Sequence, residues 1–289
     1  MRQQKILAAA AAITIITFSA ATPVRAEILE PVPDSVIDAQ RAALAETSEG
    51  AGFGPQAPRD IDSNEGANPI VFATAPDRTR MNLCNIHFHE GAEHKGGEFT
   101  NYAGNGDGEG NGTGYLYSGQ LTQEELRPLG VQVGGGPHGD LKPGDTIEAH
   151  YVYSTAAVAP GPTLNACMDD VTVNPQLRVE AFVFVLVNDE TAADFTELNM
   201  VGEANGYHQA INLPTGAGKP VNYIGSTTGP VYNEEASPFQ VSWSVRPKVI
   251  KVNISSVDSW LKDNPFEEHG AHGVRNLVVN PALLSPIEQ

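Results

Sequence analysis

The stretch LRVEAFVFVLVND, residues 177–189, constrains the fold most. Val179, Ala181, Val183, Val185 and Val187 share one face of an extended chain, and Phe182, Phe184 and Leu186 make the other face apolar as well. A strand with two apolar faces needs cover on both sides, so it predicts a central strand of a layered sheet. Two further stretches alternate with period two. FQVSWSVRP (239–247) sets Phe239, Val241, Trp243 and Val245 against polar residues, which predicts a strand covered on one side. TIEAHYVYS (146–154) sets Ile147, Ala149, Tyr151 and Tyr153 against Glu148, His150 and Val152.

Around these strands the chain offers little helix. DSVIDAQRAALAET (34–47) has apolar residues at helical spacing, with Asp or Ser to cap it. Residues 48–70 are rich in Gly, Pro and Asp and predict irregular chain laid on the surface, while GNGDGEGNGTG (104–114) and GGGPHGDLKPGD (134–145) predict loops. The expected fold is β-rich α+β, a single domain built on a twisted, mostly antiparallel sheet with few short helices. HGAHG (269–273) predicts an exposed, glycine-rich tail.

The first 26 residues have the form of a removable leader. Arg2 and Lys5 precede an alanine-rich apolar run, and Val24-Arg25-Ala26 ends it with a small residue. The run is short for a membrane anchor. Residues 1–26 are therefore expected to be a signal peptide and 27–289 the mature domain, periplasmic or secreted. The net charge of −18 becomes more negative once Arg2, Lys5 and Arg25 leave. Such a surface repels phosphate backbones, which argues against nucleic-acid partners, and nothing predicts membrane insertion. Two cysteines in an exported chain, Cys84 and Cys167, predict one disulfide; two buried free thiols are the alternative.

CNIHFHEGAEHKGGEF (84–99) concentrates the chemistry. In a strand, residues i and i+2 point the same way, so His87 and His89 share a face with Asn85 while Ile86 and Phe88 pack inward. His150 lies on the polar face of its own strand, two residues after Glu148. If the two strands are neighbours, three imidazoles converge, the donor set of a zinc site with an open fourth position. Asn85 and Glu148 are then placed to accept the second N–H of a ligating imidazole.

On these residues the chain resembles carbonic anhydrases, most closely the delta class. MNLCNIHFHEGAEHKGGEF (81–99) resembles that class's metal-binding segment and IEAHYVYS (147–154) the strand with the third histidine. GPQAPRDI (54–61), NPQLRVEAFVFVLVND (174–189), YIGSTTGP (223–230) and SPFQVSWSV (237–245) follow the same order. HFH, E-x-H and GSTTGP are also similar to the alpha class. The resemblance implies zinc on His87, His89 and His150, with cobalt a compatible substitute, and carbon dioxide and bicarbonate as substrate and product. The reaction it implies is reversible hydration of carbon dioxide by hydroxide carried on zinc. It implies that Thr228, or the adjacent Thr227, orients that hydroxide and hands its own proton to a carboxylate. Glu93 is the best match for the carboxylate, with Glu98 and Glu90 as substitutes. His94, His138 and His208 are candidates to carry the released proton to solvent.

A second reading is a cupin-type metalloenzyme, an oxygenase or isomerase. HFHEGAE (87–93) satisfies H-x-H-x3-E, which would make Glu93 a fourth ligand beside His87, His89 and His150. It gives no reason for GSTTGP. Oligomeric state has no signature in the sequence.

Overall fold

The structure is a computed structural model, and it describes residues 30–135, 140–172, 174–226, 237, 239–275 and 279–287. Helix α1 spans Asp34–Ser48. Strand β1 (Asn82–Glu90) is followed by the hairpin of β2 (Asn101–Asn105) and β3 (Thr113–Leu116). Next come β4 (Thr146–Ser154), β5 (Leu177–Val187) and a short helix α2 (Phe195–Leu198). A second hairpin joins β6 (Val201–Ala204) to β7 (Tyr207–Ala210). Strands β8 (Val221–Gly225), β9 (Val241–Val245) and β10 (Ile250–Asn253) lead into helix α3 (Ile254–Lys262).

Six strands form one mixed sheet in the order β1-β4-β5-β9-β8, with β10 also paired to β5. β1, β4 and β5 pair antiparallel, as do β8 and β9, whereas β9 and β10 both run parallel to β5. β9 pairs with Leu177–Ala181 and β10 with Phe184–Val187, so the two lie end to end along one edge of β5. The central position expected of 177–189 is observed, with the strand ending at Val187. Phe182, Phe184 and Leu186 pack into one apolar layer with Phe88, Phe195 and Trp260. Leu177, Val179, Ala181 and Val183 pack into the other, with Trp243, Tyr223 and the half-cystines.

Three local expectations change. The N-cap of α1 is Pro33, with no side-chain hydrogen bond, rather than Asp or Ser. Residues 54–58 are irregular but buried, because their backbone bonds to Ser226, just past β8, and to Leu283. β9 is covered on both faces: Ser242 Oγ accepts from Ala75 N at 2.8 Å and Ser244 Oγ donates to Asn222 Oδ1 at 2.9 Å. Paired hydroxyls are buried at little cost, so serine there did not mark a wet face. Phe239 lies outside the strand and is exposed.

Tyr151 illustrates the opposite case. Its ring sits in the apolar layer against Phe182, and its hydroxyl is buried with no hydrogen-bond partner among the described residues. An unpaired buried hydroxyl forfeits its water bonds for nothing. Tyr151→Phe is therefore expected to leave stability unchanged or raise it by about 1 kcal/mol, read by urea unfolding. A loss of that size would reveal a partner for the hydroxyl.

Candidate metal centre

β1 carries a bulge between Leu83 and Asn85, where Leu83 pairs with Tyr153 and Asn85 with Val152. The extra residue breaks the alternation, so Cys84 does not share the face of Ile86 and Phe88 and instead enters the layer that holds Cys167. The two sulfurs form the expected disulfide, with Cα atoms 5.0 Å apart. Beyond the bulge the alternation is regular: Ile86 and Phe88 enter the apolar layer, and His87 pairs directly with His150 across β4. The rings of His87, His89 and His150 lie 4.9–5.3 Å apart, centroid to centroid, and one nitrogen of each lies within 4.8 Å of the others.

The second nitrogen of each ring is held. His87 Nδ1 donates to Asn85 Oδ1 at 2.7 Å, and that amide is oriented by its own Nδ2 donating to Gly161 O. His89 Nδ1 donates to the Gly273 carbonyl at 2.9 Å. His150 Nε2 donates to Glu148 Oε1 at 3.1 Å. Each bond fixes a tautomer, so the convergent lone pairs are Nε2 of His87, Nε2 of His89 and Nδ1 of His150. Burial, reinforced by His150 and His89, pushes His87 well below 6.5. Burial also takes His89 down to about 4, against the pull of Glu93. Both are therefore neutral, the form in which imidazole binds metal. At His150, burial acts downward, but the Glu148 hydrogen bond and charge outweigh it and raise the pKa above 6.5. Three neutral-capable imidazoles with anchored far nitrogens fit zinc.

Behind them runs a buried chain of polar groups. Glu148 Oε1 also accepts from His94 Nδ1 at 2.6 Å, and Glu148 Oε2 accepts from the His94 backbone N–H. His94 Nε2 meets the Tyr223 hydroxyl at 2.6 Å. Burial opposes ionisation of Glu148, but His94 and His150 outweigh it and hold its carboxyl well below 4.5. His94, Glu148 and His150 also cluster closely enough to suggest a metal set of their own. Both ring nitrogens of His94 are already occupied by Glu148 and Tyr223, so the cluster is a brace for His150. Glu148→Gln can keep one oxygen for the two histidines, but it loses the charge and turns an N–H toward the His94 backbone N–H, where an acceptor is needed. It is expected to weaken metal binding roughly 10–100-fold in a chelator competition; unchanged affinity would show that His150 holds its orientation without Glu148.

Gly91, with φ of 86°, turns the chain after β1; a Cβ there would fall 2.2 Å from the Thr113 carbonyl. The turn buries Glu93, which is 2% exposed, with Oε1 3.8 Å from His89 Nδ1 and 3.3 Å from the Arg275 N–H. Burial would raise the Glu93 carboxyl, but His89, Arg59 and His150 outweigh it and bring it to about 2. Glu93 thus faces the nitrogen of His89 that does not converge on the centre, and it is not among the clustered donors. The four-ligand set of the cupin reading is not assembled. Of the substitutes for Glu93, Glu98 accepts from Val249 N at 2.9 Å, and Glu90 sits half-buried at the end of β1.

The proton-carrier candidates scatter. His94 is 1% exposed and has no nitrogen left for solvent. His208 packs its backbone on Asn82, five residues from His87 along β1 and so roughly 17 Å away. His138, Thr227 and Thr228 lie outside the described residues. The HGAHG segment is not simply an exposed tail. His272 N donates to Phe88 O and Glu90 N donates to His272 O, which lays the segment along β1. Its ring lies 5.5 Å from that of His87 and 5.9 Å from that of His89, and its Nε2 meets Glu268 Oε2 at 2.7 Å. Only its two histidines in five residues could have drawn attention to it; the Gly273 carbonyl left no sequence signal at all.

No curated protein matches the chain. Among solved structures it is similar to the alpha-carbonic anhydrase from Thermovibrio ammonificans in complex with the inhibitor sulfanilamide. That pair shares 14% identity over 81% of this chain and 87% of the other, with a TM-score of 0.29. It is also similar to a halotolerant carbonic anhydrase from Dunaliella salina, at 14% identity over 83% and 89%, with a TM-score of 0.34. The family described as delta carbonic anhydrase matches residues 78–256, more than half of the sequence, and that stretch holds all three clustered histidines, their Asn85 and Glu148 partners and both half-cystines. The chain belongs to the delta carbonic anhydrase family.

Proposed function

We propose that His87, His89 and His150 hold zinc, and that with it this carbonic anhydrase interconverts carbon dioxide and bicarbonate. The observation that carries the reading is the set of three convergent nitrogens whose opposite nitrogens are each anchored to an oxygen. Zinc bound by three neutral imidazoles supplies a water acidic enough to lose its proton near neutral pH. The residues do the rest. Asn85, Gly273 and Glu148 hold the imidazoles in the tautomers that present lone pairs. Glu93, ionised and buried, is the acceptor for the hydroxyl of Thr228, with Thr227 as the neighbouring candidate. That hydroxyl in turn fixes the direction of the nucleophile. With His94 enclosed and His208 remote, the released proton leaves by water or buffer, or through His138.

Thr228→Ala is expected to retain stoichiometric metal and lose hydration rate, because the threonine orients and does not bind; an unchanged rate would shift the role to Thr227. The reading as a whole is tested by stopped-flow hydration of carbon dioxide by residues 27–289, with metal content measured on the same sample. Fast hydration abolished by chelation and restored by zinc supports it. A zinc-replete sample that does not hydrate carbon dioxide overturns it, and iron or manganese in place of zinc would reopen the cupin chemistry.

We read residues 1–26 as a leader and 27–289 as one catalytic domain, exported to the periplasm or beyond. The Cys84–Cys167 disulfide supports an oxidising destination. No helix among the described residues is long and apolar enough to cross a membrane.

A further inference from the structure

We propose that residues 55–62 are a positioning strap for the reaction, tying Ser226, the residue before Thr227, to the turn that carries Glu93, with Arg59 as its locking side chain. The inference rests on the roles of Glu93 and the threonine proposed above. The strap lies outside the stretch matched by the family. Neither the clustered histidines nor the oxygens that anchor them come from it.

Both ends of the strap are bonded. At one end Ala57 N donates to Ser226 O at 2.7 Å and Ser226 N donates to Pro55 O at 2.9 Å, a reciprocal pair just past β8. Ala57 and Ser226 are fully buried. Gly225 lets the two segments close, since a Cβ there would stand 3.0 Å from Ala57 N and Cα. At the other end Lys95 N donates to Arg59 O at 2.7 Å and Ile61 N donates to Lys95 O at 2.8 Å. Side chains add three bonds: Arg59 Nη1 to the Glu93 carbonyl at 2.6 Å, Lys95 Nζ to Asp60 Oδ2 at 2.6 Å, and Gly97 N to Asp62 Oδ2 at 2.9 Å. Only the Arg59 bond ends on Glu93 itself.

The spacer between the ends is short and stiff. Pro58 alone separates Ala57, which bonds Ser226, from Arg59, which bonds Glu93. Two residues of extended chain reach at most about 7 Å. The proline ring fixes its own φ and confines Ala57 to extended backbone. The strap is pinned in turn by Gln56 N donating to Leu283 O and Ser285 N donating to Gln56 O, each at 2.8 Å. A stiff cross-link suits the pair it serves. Glu93 and the threonines are far apart in sequence, and a misplacement of about 1 Å between reacting or orienting groups can lower a rate on the order of a hundredfold.

Two variants loosen the strap in different ways. Arg59→Gln removes the charged bond to Glu93, whereas Pro58→Ala removes no bond and frees the spacer. Hydrogen exchange on the zinc-loaded protein reads the coupling without reference to activity. The Ser226 amide donates to Pro55, at the end of the strap remote from Glu93. It is expected to exchange about tenfold faster in Arg59→Gln, the effect of losing one charged hydrogen bond. Unchanged exchange at Ser226 in both variants shows that the two ends are independent and overturns the proposal. Stopped-flow hydration in saturating buffer reads the consequence for the reaction. In both variants kcat and kcat/KM are expected to fall together, by about tenfold, at wild-type zinc content, because the loss falls on the transition state. A faster Ser226 amide with unchanged kcat/KM makes the strap a structural element only, which also overturns the proposal. A zinc-replete wild type that does not hydrate carbon dioxide overturns the hydration reading and the positioning role with it, and is recognised in wild type alone.

Discussion

His150→Ala is expected to yield a folded protein without bound metal and without hydration activity. Two imidazoles from one strand remain, but His87 and His89 cannot supply a third nitrogen, and catalytic zinc sites rest on three protein ligands. The loss should exceed the roughly 10–100-fold drop in affinity that follows from disturbing a ligand's hydrogen-bonding partner. The fold is expected to survive because Glu148 keeps both bonds to His94, and β4 keeps its ladders to β1 and β5. Near-native circular dichroism together with metal content near zero is the predicted pair of readings. Stoichiometric zinc in the variant would remove His150 from the ligand set.

Loss of the disulfide is the second large effect. The bond spans 83 positions, and in the chain-entropy account a loop of that length is worth about 4.5 kcal/mol. That is a large share of the stability of an ordinary domain. The consequence should also reach the site. Gly161 N donates to the Cys84 carbonyl, and Asn85 Nδ2 donates to Gly161 O, so the bridge stands beside the amide that orients His87. The double variant Cys84→Ala, Cys167→Ala should show a urea midpoint far below wild type and weaker zinc binding. A stability loss under about 1 kcal/mol would mean that the unfolded chain already holds these segments close.

What could be seen in the sequence follows from how locally each feature is encoded. β5 was legible because both its faces are apolar, and the histidine pair because strand alternation alone puts His87, His89 and Asn85 together. His150 was legible through the Glu148 two residues before it. The parallel pairing of β9 and β10 with β5 was not, because a crossover leaves no mark in either strand. The His94 brace was hidden for a related reason: its partners, Glu148 and Tyr223, are 54 and 129 residues away. An imidazole next to a glutamate in a polar turn read as a solvent-facing proton carrier, and tertiary packing enclosed it. The Gly273 carbonyl is a backbone group, and Arg59 is a single cation in an irregular stretch, so neither had a pattern to betray it.

The contact between His89 and the Gly273 carbonyl has a consequence in time. The two groups are 184 residues apart in the chain. A ribosome adding about 5–20 residues per second finishes the His-Phe-His strand roughly 10–40 s before it makes the oxygen that sets the tautomer of His89. During that interval a nascent chain can expose two or three imidazoles but cannot hold them in their final form. On the proposed reading, selection of the metal falls to the completed polypeptide, in whichever compartment it finishes folding.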